Sequence, residues 1–136
     1  MKNSPPGKYF TACSTGKADA VAAFLADGVD PNARDKYQLT GLMWAGRKGH
    51  VDVAKILLDR GADIDAGDVR NRTALFHAVT YKRYAFVDFM VERGANLDPV
   101  DTHGWSPLDF ARCNHNKKME ALLVRLGAQA QVYKEA

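Results

Sequence analysis

Four histidines and two cysteines are the side chains here that could move protons near neutrality, hold a metal ion or attack as a nucleophile. Cys13 and Cys113 follow no zinc or redox spacing, so they offer neither a Cys-x-x-Cys pair nor part of a ligand set. His103 and His115, taken with Asp101 and Cys113, are the one conceivable metal cluster, and their spacing matches no recognised ligand pattern. The chain has no glycine-rich phosphate loop between a strand and a helix, no Gly-x-Ser-x-Gly elbow and no His-Glu-x-x-His. On this reading no catalytic residue, no metal site and no cofactor is expected, and the chain is not an enzyme.

What positions these residues is a repeat. The phrase LLDRGADIDA (Leu57 to Ala66) returns as FLADGVDPNA from Phe24, MVERGANLDP from Met90 and LVRLGAQAQV from Leu123, at a step of 33 residues. Gly28, Gly61, Gly94 and Gly127 keep the step, as do Ala12, Ala45, Ala78 and Ala111. So do Leu42, Leu75 and Leu108, Asp35, Asp68 and Asp101, and Thr40, Thr73 and Ser106. A period of this length means one supersecondary unit stacked on copies of itself. In each unit the hydroxyl residue opens a short helix by accepting unpaired N–H groups, and Ser106 to Asp109 adds Pro107 at the first helical position and an acid three residues after the cap. A Gly49-His50 turn leads into a second helix whose Val53, Ile56, Leu57 and Arg60 follow helical spacing, with Gly61 as its left-handed cap. Between units, DKYQLT, DVRNRT and DTHGWS suit tight hairpins with a left-handed residue near the tip. Gly104 takes that conformation freely and Asn71 readily, but Gln38 at a cost, so the first hairpin is expected to be looser or distorted.

These residues resemble the ankyrin repeat, with TGLMWA, TALFHA and SPLDFA standing where that family usually reads Thr-Pro-Leu-His-x-Ala. The resemblance runs from Lys8 to about Ala130 and implies an all-α solenoid of helix-turn-helix units joined by β-hairpin loops. Its repeats span about 8–34, 35–67, 68–100 and 101–130, between tails at 1–7 and 131–136. The first and last repeats act as caps, and the first opens GKYFTACSTG in place of Thr-x-Leu. The family's histidine is replaced by Met43, Phe76 and Asp109. Met43 and Phe76 are expected to bury apolar area, each contributing about 1.5 to 3 kcal/mol, where the family has a hydrogen-bond network between hairpins. Layers about 8 to 10 Å apart separate Cys13 from Cys113 by about 25 to 30 Å, too far for a disulfide. Both are expected to be small buried thiols at matching places on first helices. His50 is expected to bond backbone from its turn, His77 to line the core at the place of Trp44 and Phe110, His103 to sit on a hairpin tip and His115 at the end of a first helix.

A chain of 136 residues, 46% hydrophobic and 26% charged, builds one domain with its own core. Its net charge of +3 does not by itself call for nucleic acid or a membrane surface. The longest uncharged run, ten residues from Tyr37 to Gly46, is too short for a membrane span or a signal segment. Two unpaired cysteines fit a reducing compartment, so the cytoplasm is expected, and a monomer is the default for a capped stack; the periplasm or secretion stays open if a leader was removed.

In a solenoid of this kind the hairpin tips and exposed ends of the first helices form one concave surface. Along it come Arg34, Lys36, Tyr37, Leu39, Arg47 and Lys48, then Val69, Arg70, Arg72 and Tyr81, then His103, Trp105 and His115. Six of these are lysine or arginine and none is acidic, and aromatics beside arginine are the types enriched at binding hot spots. The expected function is a protein–protein interaction module for a partner with an acidic surface, anchored by Tyr37 and Trp105 and steered by Arg34, Lys36, Arg47, Arg70 and Arg72. Two alternatives stay open. One is an inhibitor or immunity-type protein that inserts its tips into an enzyme's active-site cleft. The other is nucleic-acid binding by the same basic face, which the lack of a recognition helix disfavours.

Overall fold

The computed structural model describes residues 6–130. Along them run four helix pairs: α1 (Gly7–Thr15) with α2 (Ala18–Ala26), α3 (Gly41–Lys48) with α4 (Val51–Asp59), α5 (Ala74–Thr80) with α6 (Tyr84–Glu92), and α7 (Pro107–Cys113) with α8 (Lys117–Leu126). Of the expected tails, 1–5 and 131–136 lie outside the described residues, while Pro6 caps α1 and Gly7 begins it.

The caps are those the hydroxyl residues called for. Thr40 accepts from the Met43 N–H at 3.2 Å, Thr73 from Phe76 at 3.3 Å and Ser106 from Asp109 at 3.2 Å. The Asp109 carboxylate answers by accepting the Ser106 N–H at 2.8 Å, which closes a capping box. The turns within the pairs place Gly16, Gly49, Lys82 and His115 in the left-handed region, again one period apart. At Gly16 a side chain is excluded twice over, because φ is 79° and a Cβ would lie 2.7 Å from His50 Nδ1 of the next unit.

The core is a row of identical layers. Tyr9, Leu42, Leu75 and Leu108 share one register and are all buried, as are the four alanines from Ala12 to Ala111. Val53, Phe86 and Met119 form another buried series on the second helices, and Leu57, Met90 and Leu123 a third. Met43 and Phe76 are fully buried, as expected. The first helices pack against one another more closely than the second helices do. Gly46 marks a close approach, since a Cβ there would stand 2.8 Å from the Ala74 carbonyl.

Each hairpin closes with two backbone bonds: Asp35 N–H to Leu39 O and Gln38 N–H to Asp35 O, both 2.9 Å, and their counterparts at Asp68–Arg72 and Asp101–Trp105. Among the described residues the only strand-like pairing outside these is an isolated bridge between Arg34 and Thr40. The first hairpin is not looser than the others, contrary to expectation. Gln38 sits at φ 65° beside Asn71 at 64°, because Asp35 Oδ1 accepts from both Tyr37 and Leu39 while Arg34 donates to the Gln38 carbonyl. These bonds hold the tip against the preference of its own residue.

The cysteines also divide. Cys13 is buried, and burial pushes its thiol up to about 12. Cys113 is exposed, which corrects the expectation of two buried thiols. The register partner of Cys13 is Arg112, and one further residue turns a side chain about 100° around the helix.

Candidate functional site: a groove between hairpins and first helices

The aspartate that opens each hairpin works with both oxygens. One accepts two N–H groups of its own hairpin: Tyr37 and Leu39 for Asp35, Arg70 and Arg72 for Asp68, His103 and Trp105 for Asp101. The other faces the ring nine residues on. Trp44 Nε1 donates to Asp35 at 2.7 Å, and His77 Nε2 lies 2.9 Å from Asp68. The third ring is Phe110, which has no donor. Its aspartate is held instead by Arg72 of the preceding hairpin, through Nε at 3.1 Å and Nη2 at 2.9 Å, with the guanidinium 4.8 Å from the Phe76 ring and 5.4 Å from the Phe110 ring.

Arg72 is therefore a clasp between hairpins, not the steering cation expected of it. Arg34 is exposed, but its Nη1 bridges the Gln38 and Gly67 carbonyls at 2.9 Å each, tying the first hairpin to the second. These two arginines supply links that the replaced histidines do not. Burial alone would raise the Asp101 carboxyl, but the N–H groups of Trp105 and His103 and the Arg72 guanidinium outweigh it and hold it below the usual range. Burial pushes the His77 imidazole down; Asp68 opposes this, and Arg47 and Arg72 add to it, so the ring lies below its ordinary value of 6.5. His50 bonds the Ser14 carbonyl at 3.0 Å, and Arg83 does the same to Arg47 at 2.9 Å one unit later.

Two adjoining clefts run between the hairpins and the first helices. One, of about 710 Å³, is walled by Phe10, Tyr37 and Trp44, with Gly7, Thr11 and Ser14 of α1 on one side and Arg34, Asp35 and Lys36 on the other. The next, of about 520 Å³, shares Tyr37 and Trp44 and adds Leu39, Arg47, Asp68, Val69, Arg70, Arg72, His77, Thr80 and Tyr81. Tyr37 is 60% exposed, Val69 72% and Tyr81 41%, so three of the five large apolar side chains left exposed among the described residues line this second cleft. Arg47 is fixed within it, 5.0 Å from the Trp44 ring and 4.8 Å from the Tyr81 ring, donating to the Tyr81 hydroxyl.

Nine of the thirteen expected surface residues thus meet in one groove, but not all of them are presented. Leu39 is only 6% exposed, because the hairpin turns its side chain into the core, and this corrects its place on the binding face. Lys48 is exposed at the end of α3, outside both clefts, and His103 and the half-buried Trp105 stand on the third hairpin, also outside them. His115 lines a separate depression with Asn114 and Thr80. Trp44, Phe10, Thr11 and Ser14 were missed as groove residues. One period counted back from Trp44 and Arg47 lands on Thr11 and Ser14, a signal the sequence held.

The groove side carries its charge one-sidedly. The carboxylates of its hairpins and first helices are Asp35, Asp68, Asp101 and Asp109, and each is engaged by bonds within the fold. Lys36, Lys48 and Arg70 are exposed there, whereas Asp19, Asp52, Asp59, Asp88 and Glu92 are exposed on the second helices. Among the described residues no group of three or more His, Cys, Asp or Glu side chains converges as a metal site, and no helix is long and apolar enough to cross a membrane.

The family model for ankyrin repeats in three copies matches residues 9–68, which span the first two helix pairs. No curated protein matches the chain. Ankyrin repeats generally mediate protein–protein interaction, and the family is typically non-enzymatic. The matched and unmatched units keep one register of caps, glycines and buried side chains, and residues 9–68 match ankyrin repeats.

Proposed function

We propose that this chain is a non-enzymatic binding module that captures another protein, acidic where it makes contact, in the groove between its hairpins and first helices. The observation that carries this reading is the clustering of exposed Tyr37, Val69 and Tyr81 around the fixed guanidinium of Arg47, with exposed Arg70 beside them. Aromatic and arginine side chains desolvate at modest entropic cost, and a partner of opposite charge is both steered and oriented by the basic face. Every carboxylate on that side is already satisfied, so the countercharge comes from the partner.

The test is affinity capture from the native source with the tagged chain and with a Tyr37→Ala, Arg70→Ala, Tyr81→Ala variant, analysed by mass spectrometry. A protein retained by the first and lost from the second, with unchanged circular dichroism, supports the groove. A protein retained equally by both would place the interface elsewhere.

A further inference from the structure

The first cleft owes its size to a change of side chain at a repeated position. Where α3 carries Trp44 and Arg47, and α5 carries His77 and Thr80, α1 carries only Thr11 and Ser14. These small residues leave open the space that a ring and a guanidinium fill one layer later, between the walls of Phe10, Tyr37 and Trp44. The second cleft differs in kind. Its wall holds a guanidinium that contacts two rings and is tied to a hydroxyl, which is a preorganised receptor for a carboxylate.

Building on the function proposed above, we infer that the groove takes an extended acidic segment of its partner, with an aromatic or large aliphatic side chain in the first cleft and an Asp or Glu three positions away on Arg47. The spacing follows from the stack. Adjacent first helices lie about 8 to 10 Å apart, and the two clefts are one layer apart. A polyproline-type chain advances about 9 Å in three residues and returns its side chain to the same edge. A β-strand offers same-face side chains at about 7 or 13 Å, which miss that spacing. A helix reaches about 10.5 Å only between positions seven apart, with a cylinder about 10 to 12 Å across to be seated in the groove. Charge decides the rest, since exposed Lys36 and Arg70 flank the two clefts and the two carboxylates that line them, Asp35 and Asp68, are each held by bonds within the fold.

Selection of phage-displayed random twelve-residue peptides on the full chain tests this. Enriched sequences should be net acidic and carry a large apolar residue three positions from an Asp or Glu. A synthetic peptide of that type, titrated by calorimetry, should bind about tenfold more weakly or worse to Arg47→Gln. Replacing its acid by Ala should then cost nothing further in that variant. Thr11→Trp provides a second variant that fills the first cleft with the side chain α3 already bears in that register, and it should weaken binding by a similar factor at an unchanged melting temperature. Selection that yields no peptide, peptides without acids, anchors seven apart, or full affinity in Thr11→Trp would overturn the inference. If capture of the native partner still depends on Tyr37, Arg70 and Tyr81 while the peptides fail, the occupant is wrong and the face stands. If that dependence is also missing, both readings fall.

Discussion

Replacing Arg72 by Met removes the clasp on Asp101 and keeps most of the aliphatic stem between Phe76 and Phe110. The Asp101 side chain is 1% exposed and that of Arg72 20%, so the carboxylate loses its two charged donors in a nearly dry setting. Removing one partner of a buried pair costs about 3 to 5 kcal/mol. Asp101 keeps the N–H groups of His103 and Trp105, which argues for the lower end. The lost cation–ring contacts add about 0.5 to 1 kcal/mol, and methionine's apolar contacts offset a similar amount, so the expected loss is about 3 kcal/mol. At an unfolding entropy of about 2.1 cal/mol/K per residue, 136 residues convert that to a melting temperature about 10 °C lower. Because the folded Asp101 carboxyl is depressed, its contribution is present above the unfolded value of about 3.9 and is lost as pH falls through the folded value. The gap between wild type and Arg72→Met, followed by urea unfolding, should therefore be widest at neutral pH and shrink below about pH 4. A variant within about 0.5 kcal/mol of wild type at pH 7, or a gap unchanged in acid, would refute the assignment of Arg72 as a clasp.

Gln38→Gly relieves a left-handed side chain at the first tip while leaving the Asp35 bonds in place, and it should raise stability by about 0.5 to 1 kcal/mol in the same assay; a loss would mean that the Gln38 side chain does something else. His77 has a folded pKa below 6.5, so its contribution is complete above that value and drains away as pH falls through the folded one; imidazole shifts followed by NMR should show it titrating below that ordinary value. Cys113 should react with a thiol reagent in the native protein within minutes while Cys13 waits for unfolding, and equal rates would contradict their placement.

Most of the scaffold could be read from spacing because one letter at one register does one local job. A hydroxyl at Thr40, Thr73 or Ser106 caps whatever helix follows it, and that interaction spans only three residues. The aspartates at 35, 68 and 101 were visible as a series, but what their second oxygens do depends on a ring nine residues away and, at Phe110, on an arginine of the neighbouring unit. No local pattern reports such a substitution of donors. Leu39 and Arg72 were misread for one reason: a tip residue's letter does not say whether its side chain turns out to solvent or back against the next hairpin. Cys113 shows the cost of a one-residue slip in register, which the period itself could have caught. The clefts were missed at α1 because Thr11 and Ser14 matter through what they leave empty.

Chemical-shift mapping of the nitrogen-15-labelled chain with its captured partner tests the groove most directly. Perturbations are expected to concentrate at Tyr37, Trp44, Arg47, Val69, Arg70 and Tyr81, with α2, α4, α6 and α8 nearly silent. Shifts confined to those second helices, with the Trp44 indole unmoved, would contradict that expectation.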